Sequence, residues 1–216
     1  MKRTSCLLSL VLCASAQAAL VSQDSLYGRD SVTLDTDTGL LWLDWSQTVG
    51  LSAEAVAAEL GNGGLYAGFR FATNVEVGEL WDNGGIVDLT AEGPIDIALD
   101  FTTDNFAPAA ALISLLGATD PRGILTEGLI ADAGNNPGTR TVAELQLCTG
   151  GPCVNVFGAP PNSALASLGP NDQPADAGSI IIGAALVRDT AVVPLPGALW
   201  WSLSALAALG CRCRRQ

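Results

Sequence analysis

Cys148 and Cys153 are separated by Thr149-Gly150-Gly151-Pro152 in "LCTGGPCVN". In an oxidising compartment that spacing suits a disulfide across a tight turn between two strands. As metal ligands, two thiols are too few. The chain has no histidine, which removes Ser-His-Asp and Cys-His catalysis and the commonest zinc and copper ligand. Its single lysine is Lys2, so the body lacks Schiff-base chemistry and lysine-activated nucleophiles. What remains for catalysis is a carboxylate pair of the kind glycoside hydrolases use, and no local pattern singles one out. "DTDTG" places Asp35 and Asp37 ahead of Gly39, a faint echo of a calcium loop that makes these two the metal candidates. The loop's closing glutamate is missing, and a β-turn with solvated aspartates is the simpler reading. No cofactor is expected.

Aromatic rings could stack on sugar faces, and Trp42, Trp45, Trp81, Tyr27 and Tyr66 are the candidates. Apolar neighbours assign Trp42 and Trp81 to a core. Trp45, between Asp44 and Ser46, is expected to be the more exposed of the three.

Local signals place these residues on short elements. "SVTLDTDTGLLWLDW" reads as a strand, a turn at Asp37-Thr38-Gly39 and a second strand over Leu40–Leu43. "LSAEAVAAELG" reads as a helix capped by Ser52 and stopped by Gly61. "GFRFAT" reads as a strand. Thr73 and Glu76 form a capping-box pair ahead of a helix that buries Val77, Leu80 and Trp81 and ends at Asn83-Gly84. "NFAPAAALISLLGATDPRG" suggests a third helix, with Pro108 near its first turn and Gly117 after its last. Strands follow in "GILTEGLIAD", "TRTVAELQLC", "CVNVFG" and "SIIIGAALVR", with Gly158–Gly178 as a long surface loop. This order predicts an α+β domain with an antiparallel sheet and a few short helices.

Charge is distributed unevenly. All 22 carboxylates and only Arg29, Arg70, Arg122, Arg140 and Arg188 lie between the two basic ends, so the body carries about −17. Such a body repels phosphate backbones, which excludes nucleic acid as a partner. "MKRTSCLLSLVLCASAQA" has a basic start, an apolar middle and small residues at Ala16 and Ala18. This is the layout of a signal peptide over residues 1–18, cleaved after Ala18; a buried N-terminal helix is the alternative. Val192 to Cys211 is a 20-residue run without charge, followed by Arg212, Arg214 and Arg215. As a helix it would span about 30 Å, a bilayer core, with the arginines as its cytoplasmic anchor. The division is therefore a leader, an exported body over 19–191 and a tail over 192–216.

That tail, "VPLPGALWWSLSALAALG" followed by "CRCRR", resembles the PEP-CTERM sorting domain of Gram-negative bacteria. The family's Pro-x-Pro motif is matched by Pro194, Leu195 and Pro196, ahead of the helix and the basic end. The resemblance implies processing at the inner membrane by an exosortase, then transfer to the cell surface or an exopolysaccharide matrix. A permanent single-span anchor is the plainer alternative. Within the body, Thr38-Gly39-Leu40 with Trp42, then Arg70 and Thr73 ahead of "EVGEL", then a closing Val187-Arg188, resemble Lcl C-terminal modules, which implies a C-type-lectin-like character. The whole is read as a non-enzymatic, exported envelope or matrix module, glycan-binding where it meets exopolysaccharide. The alternatives are a secreted carbohydrate-active enzyme built on two carboxylates and a calcium-stabilised adhesin.

Overall fold

A computed structural model describes residues 20–87, 97–98, 101–134, 136–150, 153–154, 158–169 and 172–190. The expected leader with Ala16 and Ala18, and the expected tail with Pro194, Leu195, Pro196, Arg212, Arg214 and Arg215, lie outside the described residues. Among those described, no helix is long and apolar enough to cross a membrane.

The architecture is mixed α+β, with two sheets and three short helices among the described residues. β1 (Leu20–Ser25) and β2 (Gly28–Asp35) form a hairpin that continues into β3 (Leu40–Leu43). The last strand, β11 (Leu186–Asp189), inserts between β3 and the short β4 (Arg70–Phe71), so the first sheet runs β1-β2-β3-β11-β4. The second sheet is built on β6 (Leu125–Ala133), β7 (Thr139–Cys148) and β8 (Ser163–Leu168). β5 (Ile97–Ala98), β9 (Gln173–Pro174) and β10 (Gly183–Ala184) complete it. Every pairing is antiparallel except β10 with β6. β10 and β11 are one nearly continuous stretch that leaves the second sheet and enters the first. At the crossing, Ala185 N donates to Leu129 O and its own carbonyl accepts from Ala72 N.

All four residues of β3 are buried because both of its faces are covered. Leu40 and Trp42 point into one core with Trp81, Leu112, Leu116, Ile130 and Leu145. Leu41 and Leu43 point into another with Val56, Phe69, Leu129 and Val142. A strand buried on two sides reads as a continuous apolar run, without alternation.

The helices follow their caps. α1 (Ala53–Ala58) starts where Ser52 Oγ accepts from Ala55 N, but its C-cap is Glu59, short of Gly61. α2 (Asn74–Asn83) carries the full Thr73–Glu76 capping box, ends at Gly84 and buries Val77, Leu80 and Trp81. α3 (Phe106–Leu116) ends at Gly117, whose φ of +76° favours glycine.

Two expectations are corrected. Cys153 and Val154, at the start of "CVNVFG", lie in a helical turn where a strand was expected. β7 pairs instead with Ser163–Leu168, which the sequence reading placed inside a surface loop. That segment alternates small and apolar residues, and five of its six positions are buried. "GFRFAT" yields only the two-residue β4.

Candidate functional site

The cysteine pair is the clearest chemical feature. Cys148 closes β7, Cys153 lies in the helical turn beyond it, and the two are bonded with Cα atoms 5.8 Å apart. The bond is buried with Ala159 against Phe101 and Val154. Backbone bonds brace both ends: Asn162 N donates to Cys148 O and Ala159 N to Cys153 O, at 2.8 and 3.1 Å. The disulfide therefore ties a strand end to a turn, where a link between two strands was expected. Closing so short a loop contributes about 2 kcal/mol in the chain-entropy model.

The calcium candidates part ways. Asp35 is fully buried, and its Oδ1 accepts from Asp37 N at 3.0 Å and Thr38 N at 3.4 Å. Its Oδ2 accepts from Asn83 Nδ2 at 2.9 Å, tying the β2–β3 turn to the end of α2. Asp37 is exposed. The β-turn is present, but its first aspartate is a buried brace and not a solvated side chain.

The rings are also mostly spent on packing. Trp42, Trp45 and Trp81 have no exposed surface, and Tyr66 retains 2%. Trp45 is thus a correction. Its ring lies where a Cβ on Gly128 would come within 2.7 Å, and its carbonyl where a Cβ on Gly183 would collide. Gly128 and Gly183 are partners in the β6–β10 pairing of the second sheet, so that pair leaves room for the indole at Gly128 and for the Trp45 backbone at Gly183. Tyr27 alone of the five candidates stays half-exposed, 5.8 Å from Tyr66 and 6.1 Å from Phe69 between ring centres. Its hydroxyl donates to Leu65 O at 2.8 Å.

Four arginines of the body have structural partners. Arg70 is bonded twice to Glu76, which also accepts from Thr73 N and Oγ1. The Arg70 guanidinium, reinforced by those Thr73 bonds against the effect of burial, holds the Glu76 carboxyl down at about 2. Arg122 pairs with Asp120 at 2.9 Å. Arg140 and Arg188 lie over the rings of Phe71 and Phe69, at 4.4 and 4.9 Å.

Two carboxyls stand out for the opposite reason. Glu127 on β6 is directly across from Glu144 on β7, with Ser167 of β8 next in the row. Its Oε2 is shielded from solvent without a partner. Burial first, then the charges of Glu144 and Asp120, push the Glu127 carboxyl up to about 7. Asp44 is 9% exposed, its Oδ1 likewise has no partner, and burial with nearby Asp30 pushes it up to about 7. Sequence reasoning passed over both. Asp44 carried a signal, a lone acid in "LLWLDW", whereas the Glu127–Glu144 pairing depends on strand register. Among the described residues, no group of three or more metal-ligating side chains converges on a point.

Comparison with family models, curated proteins and solved structures finds no match to this chain.

Proposed function

We propose that the chain is exported and works outside the cytoplasm as a non-enzymatic envelope or matrix module, sorted through its PEP-CTERM-like tail. The observation that carries this reading is the Cys148–Cys153 disulfide, because such bonds persist in oxidising compartments and are rare in a reducing cytosol. It agrees with the basic-apolar-small leader over 1–18 and with the neutral run ahead of Arg212, Arg214 and Arg215. Under this reading the partners are an exosortase-type enzyme, the inner membrane during processing, and exopolysaccharide afterwards. The lectin-like character implied by the Lcl resemblance belongs to the same proposal. Glycan stacking would rest on Tyr27, the one candidate ring left half-exposed.

Fractionation combined with thiol alkylation tests the proposal. Protein from the envelope and medium should resist alkylation at Cys148 and Cys153 until reduced. A cytosolic pool with both thiols free and the leader attached would refute it.

One observation favours a second reading. Glu127 and Glu144 are neighbouring carboxyls, and one is held protonated near neutral pH, as acid–base work requires. Hydrolysis of a glycan panel that disappears in both Glu127→Gln and Glu144→Gln would establish it. No hydrolysis by the unmodified protein would dismiss it.

A further inference from the structure

We propose that Asp44 is a proton-dependent latch on the C-terminal end of α3, donating to a carbonyl of the helix's last turn as a neutral acid and releasing that end when it ionises.

The last carbonyls of a helix lack partners within it. Here two carbonyls at the end of α3 are met by buried hydroxyls from different strands. Thr33 Oγ1 of β2 donates to Leu115 O at 2.7 Å, and Thr126 Oγ1 of β6 donates to Gly117 O at 2.8 Å. Both threonines are fully buried. Asp44 belongs to the same cradle: a Cβ on Gly117 would lie 3.3 Å from Asp44 Cβ and against Ser46 Oγ. Thr33, Ser46 and Thr126 can donate at any pH, whereas a carboxyl donates only while it holds its proton.

The surroundings of Asp44 favour that proton. A helix C-terminus carries the negative end of the macrodipole, so an anion beside it is repelled. Ser31 of β2 accepts from Asp44 N, Asp44 and Ser46 of the 3-10 turn Trp45–Thr48 both flank Gly117 at the end of α3, and Thr33 of β2 and Thr126 of β6 reach the carbonyls of Leu115 and Gly117 there. The charged group that acts on it is Asp30, of like sign. Oδ1 has no donor facing it, as expected for an oxygen that is itself to carry the hydrogen. A folded-state affinity for the proton raised above the unfolded value of 3.8 to about 7 gives the sign. The latch's contribution is complete below the unfolded value, falls as pH rises from there toward 7, and is gone above about 7.

Hydrogen exchange at the amides of 115–118, measured in the full chain from pH 5.5 to 8.5 and corrected for intrinsic rates, tests this. Because the closed form holds the proton and the opened form does not, wild type should lose up to about tenfold in protection per pH unit from pH 5.5 to about 7 and level off above it. Asp44→Asn, whose amide donates at every pH, should abolish that dependence, while Glu127→Gln should leave it in place. The same slope in wild type and Asp44→Asn would overturn the proposal. So would protection restored at pH 8 by calcium in wild type but not in Asp44→Asn, because the site would then hold a metal cation. An NMR titration of the Asp44 carboxyl in the unmodified chain is independent of variant folding. A midpoint near 7 supports the latch, and one near 4 rejects it.

Discussion

Glu127 and Glu144 face each other across the central strands β6 and β7 of the second sheet, on the same face and in direct register. Like charges placed opposite each other destabilise a sheet by up to about 1 kcal/mol. Burial first, and the Glu144 charge after it, push the Glu127 carboxyl up to about 7. Because the folded state binds this proton more tightly than the unfolded chain, its contribution to stability is complete below the ordinary glutamate value of 4.5, falls as pH rises toward 7, and levels off above it. Glu144→Gln removes the repulsion. Its melting temperature at pH 8 should exceed that of wild type by about 2–4 °C, and the gap should shrink by pH 5. Calorimetry at both pH values checks this; an unchanged or lower melting temperature at pH 8 would contradict it.

Glu76 behaves in the opposite sense. Held at about 2 by Arg70 and by the bonds from Thr73, it contributes stability above its ordinary range and loses it as pH falls toward 2. Thr73→Ala breaks the capping box and should cost about 1 kcal/mol. Urea unfolding at neutral pH should show the lower midpoint with an unchanged slope.

Asp35 separates bracing from calcium binding. Asp35→Ala leaves Asn83 Nδ2 and the turn amides of Asp37 and Thr38 without their acceptor. The expected loss is roughly 1–3 kcal/mol, identical in calcium and in chelator. A wild-type melting temperature that rises in millimolar calcium, with the rise absent in Asp35→Ala, would restore the adhesin alternative.

Much of the fold was legible in the residues, since caps and turns are local. The Asp35–Gly39 turn, strand Leu40–Leu43, the Thr73–Glu76 box and the Pro108–Gly117 helix all depend on neighbours a few positions apart. What escaped depends on distant partners. Trp45 is polar-flanked in sequence, yet it is buried because Gly128 and Gly183, far apart in the chain, meet and leave room for its ring and its backbone respectively. Ser163–Leu168 sits among turn residues and becomes a strand because β7 presents a free edge to it. The disulfide was legible from its spacing; the helical turn that holds Cys153 was not.

The Trp45 slot gives a further prediction. Gly128→Ala places a methyl group against the indole and should destabilise by about 1–3 kcal/mol through overpacking. Near-ultraviolet circular dichroism should register the disturbed ring. An unperturbed spectrum and an unchanged melting temperature would mean that the slot is roomier than described.

Intact-mass and non-reducing peptide mass spectrometry of the protein recovered from the cell surface or medium tests export and sorting most directly. The account predicts a chain that begins at Ala19, lacks the arginine-bearing end and yields one peptide pair linked through Cys148 and Cys153. A surface form that still carries Arg212, Arg214 and Arg215 would contradict the sorting. A cytosolic form with its leader intact and both thiols free would contradict the export itself.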